Sequence, residues 1–217
     1  MKEKTLAELA NENFSSAWIL KKHNINFFDE SKSTVEDVCK NTKIDGNNLL
    51  IDLSQANIEF NNEEIDLDFL IDYMEKSRNK YLNNSLSNLR YIFSSNMAND
   101  AEFYKDFIEV FELLTALEAN FKLHLHKEKY FLFPNARKET ILEETSPEQD
   151  LQKIFVLFKE EQNFIKAILN RIEELVEMNA LKEKYQSTLK ILNCFVKNFK
   201  EYLQLENKVL FPKMELL

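Results

Sequence analysis

Phe121-Lys122-Leu123-His124-Leu125-His126-Lys127-Glu128-Lys129-Tyr130-Phe131-Leu132-Phe133-Pro134 has a counterpart near the end of the chain, Phe199-Lys200-Glu201-Tyr202-Leu203-Gln204-Leu205-Glu206-Asn207-Lys208-Val209-Leu210-Phe211-Pro212. Both passages open on Phe-Lys, place a glutamate in the same register and close on Phe-Pro. The first holds His124-x-x-x-Glu128 and the second Tyr202-x-x-x-Glu206. Side chains four apart share one face of a helix, so a histidine and a glutamate at that spacing can converge on one ion. The second passage keeps the acid and has lost the imidazole.

Working outward, each passage ends a long amphipathic stretch. Four such stretches are read, at roughly 65 to 94, 98 to 130, 148 to 178 and 181 to 210. Four long helices with short connections predict an antiparallel bundle. Steps of three and four trace the inward stripes. In the second helix they run Leu114, Leu117, Phe121, His124, Glu128, Phe131, and in the fourth Leu192, Phe195, Phe199, Tyr202, Glu206, Val209. The third runs Leu151, Ile154, Phe158, Gln162, Ile165, Leu169, Ile172, Val176, and the first has Asn79 before Leu82, Leu86, Leu89 and Phe93. Asn79, His124, Glu128, Gln162, Tyr202 and Glu206 are therefore expected inside. Burying carboxylates among Phe and Leu is costly unless a cation or hydrogen-bond donors compensate.

The first 60 residues carry shorter helical patterns, with start signals at Thr5, Ser15 and Ser33-Thr34, and with Gly46 setting off Leu49-Leu50-Ile51. They predict a small domain of three or four short helices over 1–60, joined through the polar Asn61-Asn62-Glu63-Glu64 to a bundle over 65–217. Ser146-Pro147-Glu148 reads as the opening of the third long helix, and Met178-Asn179-Ala180 as the turn into the fourth.

Composition agrees with an all-α chain. One Gly and three Pro in 217 residues are too few for many strand turns. A net charge of -9 argues against a nucleic-acid partner, which would need a basic stripe. No apolar run approaches the roughly 18 residues of a membrane span, and the start lacks a signal-peptide core, so a cytoplasmic protein is expected. Cys39 and Cys194 form no framework and no Cys-x-x-Cys pair. Both are read as small hydrophobes, Cys194 as buried between Leu192 and Phe195. His126 is read as a surface side chain and His23 as packing. Glu160-Glu161 reads either as an access route or as a solvated pair.

These residues resemble the hemerythrin-like cation-binding domain. The whole chain resembles the repair of iron centres family, di-iron proteins of iron-sulfur cluster repair under nitrosative and oxidative stress. The resemblance rests on the paired Glu-x-x-x-Leu-Phe-Pro endings of an N-terminal domain plus bundle. It implies a centre in which each bundle helix gives one histidine and two helices add bridging glutamates. His124, Glu128 and Glu206 match that pattern; the other histidine positions fall on Asn79, Gln162 and Tyr202. Where family members carry Cys-Cys-Gly-Gly, this chain has Phe28-Asp29-Glu30-Ser31. Thiol chemistry by the small domain is accordingly not expected.

Two readings of the six-residue set follow. As a remodelled metal site it is rich in oxygen, favouring Mn, Mg, Ca or ferric iron, with Tyr202 available as a phenolate. As a metal-free network, Asn79, Gln162, His124 and Tyr202 donate to the two glutamates. The resemblance implies iron at one or two ions, held weakly or not at all. It also implies a stress-response role and a protein partner or homodimer formed through the N-terminal domain. No nucleophile with an adjacent base and no nucleotide loop supports a hydrolase or kinase.

Overall fold

A computed structural model describes residues 3–29, 32–41, 44–55, 65–137, 147–179 and 183–215, leaving aside the side chains of Glu12 and 147–153. Among the described residues the chain is all helical; the only β pairing is an isolated antiparallel bridge between Thr5 and Thr34. The expected linker at 61–64, and Glu30, Ser31, Ser146 and Ala180, lie outside the described residues.

The chain divides into two compact units, Met1–Tyr81 with Lys208–Lys213, and Leu82–Asn207 with Met214–Leu217. The first unit opens with the short helices α1 (Leu6–Glu12), α2 (Phe14–Lys22), α3 (Val35–Asn41) and α4 (Gly46–Ser54). Their starts are fixed by side chains that satisfy the otherwise unbonded first-turn amides. Thr5 and Glu8 form a reciprocal capping box on α1, and Thr34 and Asp37 exchange the same pair of bonds at α3. The second helix is capped by Asn13, two residues before the expected Ser15. Gly46 begins α4 at a close approach, because a Cβ there would stand 3.0 Å from Cys39 Sγ.

Helix α5 (Leu67–Tyr73) joins this unit through rings, with Phe69 and Tyr73 against Phe14 and with Phe69 against Trp18 and Phe27. The Tyr73 hydroxyl donates to Ala10 O at 3.1 Å. A π-helical turn, Met74–Arg78, leads on into α6 (Asn79–Asn99).

In the second unit the long helices pack as a helical bundle. They are the rest of α6, α7 (Ala101–Lys127) and α9 (Pro147–Met178), which follows the short α8 (Phe133–Ala136), and then α10 (Gln186–Leu205). The inward stripes are where the spacing puts them. Leu82, Leu86, Leu89 and Phe93 are buried, as are Leu114, Leu117 and Phe121, Phe158, Ile165 and Leu169, and Leu192, Phe195 and Phe199. Phe93, Phe103, Phe107 and Tyr185 close one end as a ring cluster, where Asp100 caps α7 and accepts from the Tyr185 hydroxyl at 3.0 Å.

Two sequence expectations need correction. Phe131, expected inside, is 52% exposed, and its neighbour Leu132 is 0% exposed in its place. The cause is a π-helical turn over Glu128–Leu132, in which the Phe133 N–H reaches back five residues to Glu128 O. Pro134 has no N–H to donate and its ring would collide with the carbonyl four residues back in a regular α-helix. In the wider turn the residue three past Glu128 rotates off the inward face, while the fourth, Leu132, stays on it. Cys194, expected to be buried, is exposed. Two residues past the inward Leu192, it is turned by about 200° to the opposite face of the helix.

Candidate metal centre

Residues of the two repeated passages that lie in the second unit build one site there. His124 and Glu128 sit four apart at the end of α7, and Tyr202 and Glu206 four apart at the end of α10. In both copies the glutamate is the first residue of a π-helical turn, Glu128–Leu132 and Glu206–Leu210, after which Phe-Pro resumes a short helix, α8 or α11 (Phe211–Met214). The shared Glu-x-x-x-Leu-Phe-Pro takes the same local geometry twice, and the two acids come together.

The hydrogen bonds cross between the copies. His124 Nε2 lies 3.0 Å from Glu206 Oε1, while the Tyr202 hydroxyl donates to Glu128 Oε1 at 2.9 Å. Gln162, from the middle of α9, donates through Nε2 to Glu206 Oε2 at 2.7 Å. Its Oε1 is taken by Asn207 Nδ2 at 2.6 Å. That bond fixes the amide orientation, with a donor rather than a lone pair facing the cluster. His124, Glu128, Gln162, Tyr202 and Glu206 are all fully buried. Phe121, Phe158 and Phe199 wall the group, Phe158 meeting the imidazole edge-on with ring centres 4.9 Å apart.

Of the six residues expected inside, these five come together. Asn79, the sixth, is also buried, at 8% exposure, and lies in the first unit directly after the Met74–Arg78 turn. Two participants were not anticipated. Asn207 orients Gln162, as described. Glu161 Oε2 lies 3.5 Å from His124 Nδ1, an ion-pair distance, and Glu161 also pairs with Lys127. The neighbours Glu160-Glu161 drew notice in the sequence, but only contact with His124 separates the second from the first. His126 is exposed as expected, and His23, half-buried, bonds Asp52 at 2.8 Å in addition to any packing role.

Burial and charge set the protonation of the cluster. Burial pushes the His124 imidazolium down, but the Glu206 carboxylate, Glu161 and Glu128 outweigh it and hold the group up at about 10. Glu128 is driven well above the carboxylate range by burial and by Glu206, with His124 opposing. Burial, then Glu128 and Glu206, likewise keep the Tyr202 phenol neutral. Glu161 is held below its ordinary value by His124, burial opposing, with Lys127 assisting. An imidazolium set among acids, beside a phenol that keeps its proton, offsets charge within the interior.

The same atoms can serve a cation. One donor atom each from His124, Glu128 and Glu206 lie within 4.8 Å of one another, so this buried trio could hold a metal ion. One imidazole and two carboxylates suit a first-row divalent or ferric ion with positions left open. For two ions the donor set does not suffice. A single imidazole is present in the cluster, Gln162 turns its N–H inward, and Tyr202 offers a proton to Glu128. No family model matches the chain and no curated protein matches it.

Proposed function

We propose that the chain is a divergent hemerythrin-like four-helix-bundle protein of the iron-centre-repair, stress-response type. In it the di-iron centre has given way to a hydrogen-bonded polar core that accepts at most one cation. Its activity on this reading is partner binding or regulation rather than di-iron chemistry. The observation that supports it is the set of donors on the acids. Both oxygens of Glu206 and Oε1 of Glu128 already pair with His124, Gln162 and Tyr202, so burial of the acids is compensated without metal. The first unit, which carries no thiol pair at Phe28-Asp29, is then assigned to docking, either to a protein partner or to a second copy.

Elemental analysis of protein purified anaerobically after iron-replete growth tests this. The expected result is well under two irons per chain and no oxo-bridged di-iron absorption band. Two irons per chain, lost on Glu128→Ala and Glu206→Ala, would overturn it.

A second reading is favoured by the convergence of His124, Glu128 and Glu206 within 4.8 Å. On it, a single iron held by that trio and by Tyr202 as phenolate serves repair or redox chemistry. A charge-transfer colour that disappears in Tyr202→Phe is its mark.

A further inference from the structure

The geometry points to Tyr202 as the residue that sets how many ions the buried site can take. The inference deepens the one-cation reading of that site and rests on it. His124 and Tyr202 are equivalent positions of the internal repeat, each four residues before its glutamate and each at the last turn of its long helix. They also play equivalent, crossed parts: each reaches Oε1 of the other copy's glutamate, at 3.0 Å and 2.9 Å. Both are fully buried and both glutamates open a π-helical turn. The backbone on the Tyr202 side is thus already shaped like the His124 side, and the difference between the half-sites lies in the side chain.

That difference is one of donor chemistry. A neutral imidazole brings a lone pair to a metal, whereas the neutral phenol brings a proton and directs it at Glu128 Oε1. With Tyr202 in place, that oxygen, which also lies 3.9 Å from His124 Nε2, is taken up by a hydroxyl hydrogen and would not be free to serve a second ion. An imidazole at 202 would release Glu128 Oε1 and supply a nitrogen ligand to the second half-site. Each half-site would then offer one imidazole and a share of two carboxylates. Gln162 does not play this part, since its N–H faces Glu206 and Asn207 holds it there.

The experiment uses the full chain, stripped with EDTA and titrated with manganese(II) chloride under argon. Bound metal is counted by elemental analysis after gel filtration, and spin coupling is read by electron paramagnetic resonance. Wild type is expected to hold no more than one ion, with an uncoupled signal. Tyr202→His is expected to hold two, with the signal per manganese reduced by coupling through the shared carboxylates. Tyr202→Phe, lacking the hydroxyl but also the nitrogen, and Gln162→His, with Tyr202 intact, are both expected to stay at one or fewer. Two ions in Gln162→His would overturn the inference, and so would a folded Tyr202→His that gains none. Should Tyr202→His not fold, Gln162→His and Tyr202→Phe still carry the test, since two ions in either would sink it. Two ions in the wild type would overturn the one-cation reading itself.

Discussion

The Tyr202 hydroxyl donates to Glu128 Oε1 at 2.9 Å, joining the second copy of the repeat to the first inside a cage of phenylalanine rings. In a site this dry, a donor is worth more than on the surface, because the acceptor has no water to fall back on. Tyr202→Phe should therefore cost about 1–3 kcal/mol of unfolding free energy in metal-free protein. Tyr104, 51% exposed on α7, serves as control and should lose little on the same change. Equal urea midpoints for the two variants would show that the buried bond contributes nothing.

Glu206 carries more than Glu128's partner does, because His124 and Gln162 both depend on it. Removing it leaves the imidazolium only the more distant Glu161 and Glu128, at 3.5 Å and 3.9 Å, to set against its burial. Glu206→Ala should cost about 3–5 kcal/mol, as expected for one side of a buried ion pair, and Glu206→Gln less because an acceptor oxygen and the shape remain. Chemical denaturation of the EDTA-treated proteins measures both. A cost for Glu206→Ala no larger than that of Tyr202→Phe would contradict the pairing.

The parts of this site that were legible in the sequence are those governed by the regular helix period. Steps of three and four brought His124, Glu128, Gln162, Tyr202 and Glu206 inward without any fold in hand, because buried faces of long helices repeat every 3.6 residues. What the period could not carry was the change of pitch at Glu128, which turns Phe131 out and keeps Leu132 in. The warning was present as Phe133-Pro134 and Phe211-Pro212, since a proline that follows an unbroken apolar stripe forces the preceding turn to adjust. Asn207 was missed for a related reason: it lies beside Glu206 within the other π-helical turn, off the α-helical stripe. Glu161 belongs to a different class, a partly exposed side chain that reaches inward along its own length, which no periodicity registers.

The raised proton affinities give metal-free protein an unusual pH dependence. His124 titrates at about 10 in the fold against an ordinary value of 6.5, so its stabilising contribution is complete below 6.5 and is lost as pH rises through 10. Glu128 acts in the same direction, its folded value lying well above 4.5. Both groups make the protein less stable as the pH rises. Thermal unfolding in EDTA should show a melting temperature that falls from pH 7 to pH 10, and a smaller fall in His124→Gln. A melting temperature that rises over that range would remove the imidazolium from the account.

Cation binding should run the other way. Ligands bind in their deprotonated forms, so an ion held by His124, Glu128 and Glu206 must displace the proton of His124, and the raised proton affinity of Glu128 acts the same way. Apparent affinity for manganese(II) should strengthen with pH between 6 and 8, with proton release measurable by calorimetry in buffers of different ionisation enthalpy. Affinity independent of pH would place any bound ion elsewhere.

The π-helical turn can be tested apart from any metal. If the helix ran on as a regular α-helix past Glu128, Phe131 and Leu132, three and four residues on, would both lie toward the Glu128 face. The structure separates them, with Phe131 52% exposed and Leu132 0%. Leu132→Ala should then cost about 2–5 kcal/mol, the range for emptying a packed leucine site. Phe131→Ala, though it deletes the larger side chain, should stay within about 0.5 kcal/mol, as surface changes do. The opposite order in a denaturation series would mean that the turn is α-helical and that Glu128 is presented in a different register from the one on which the whole cluster depends.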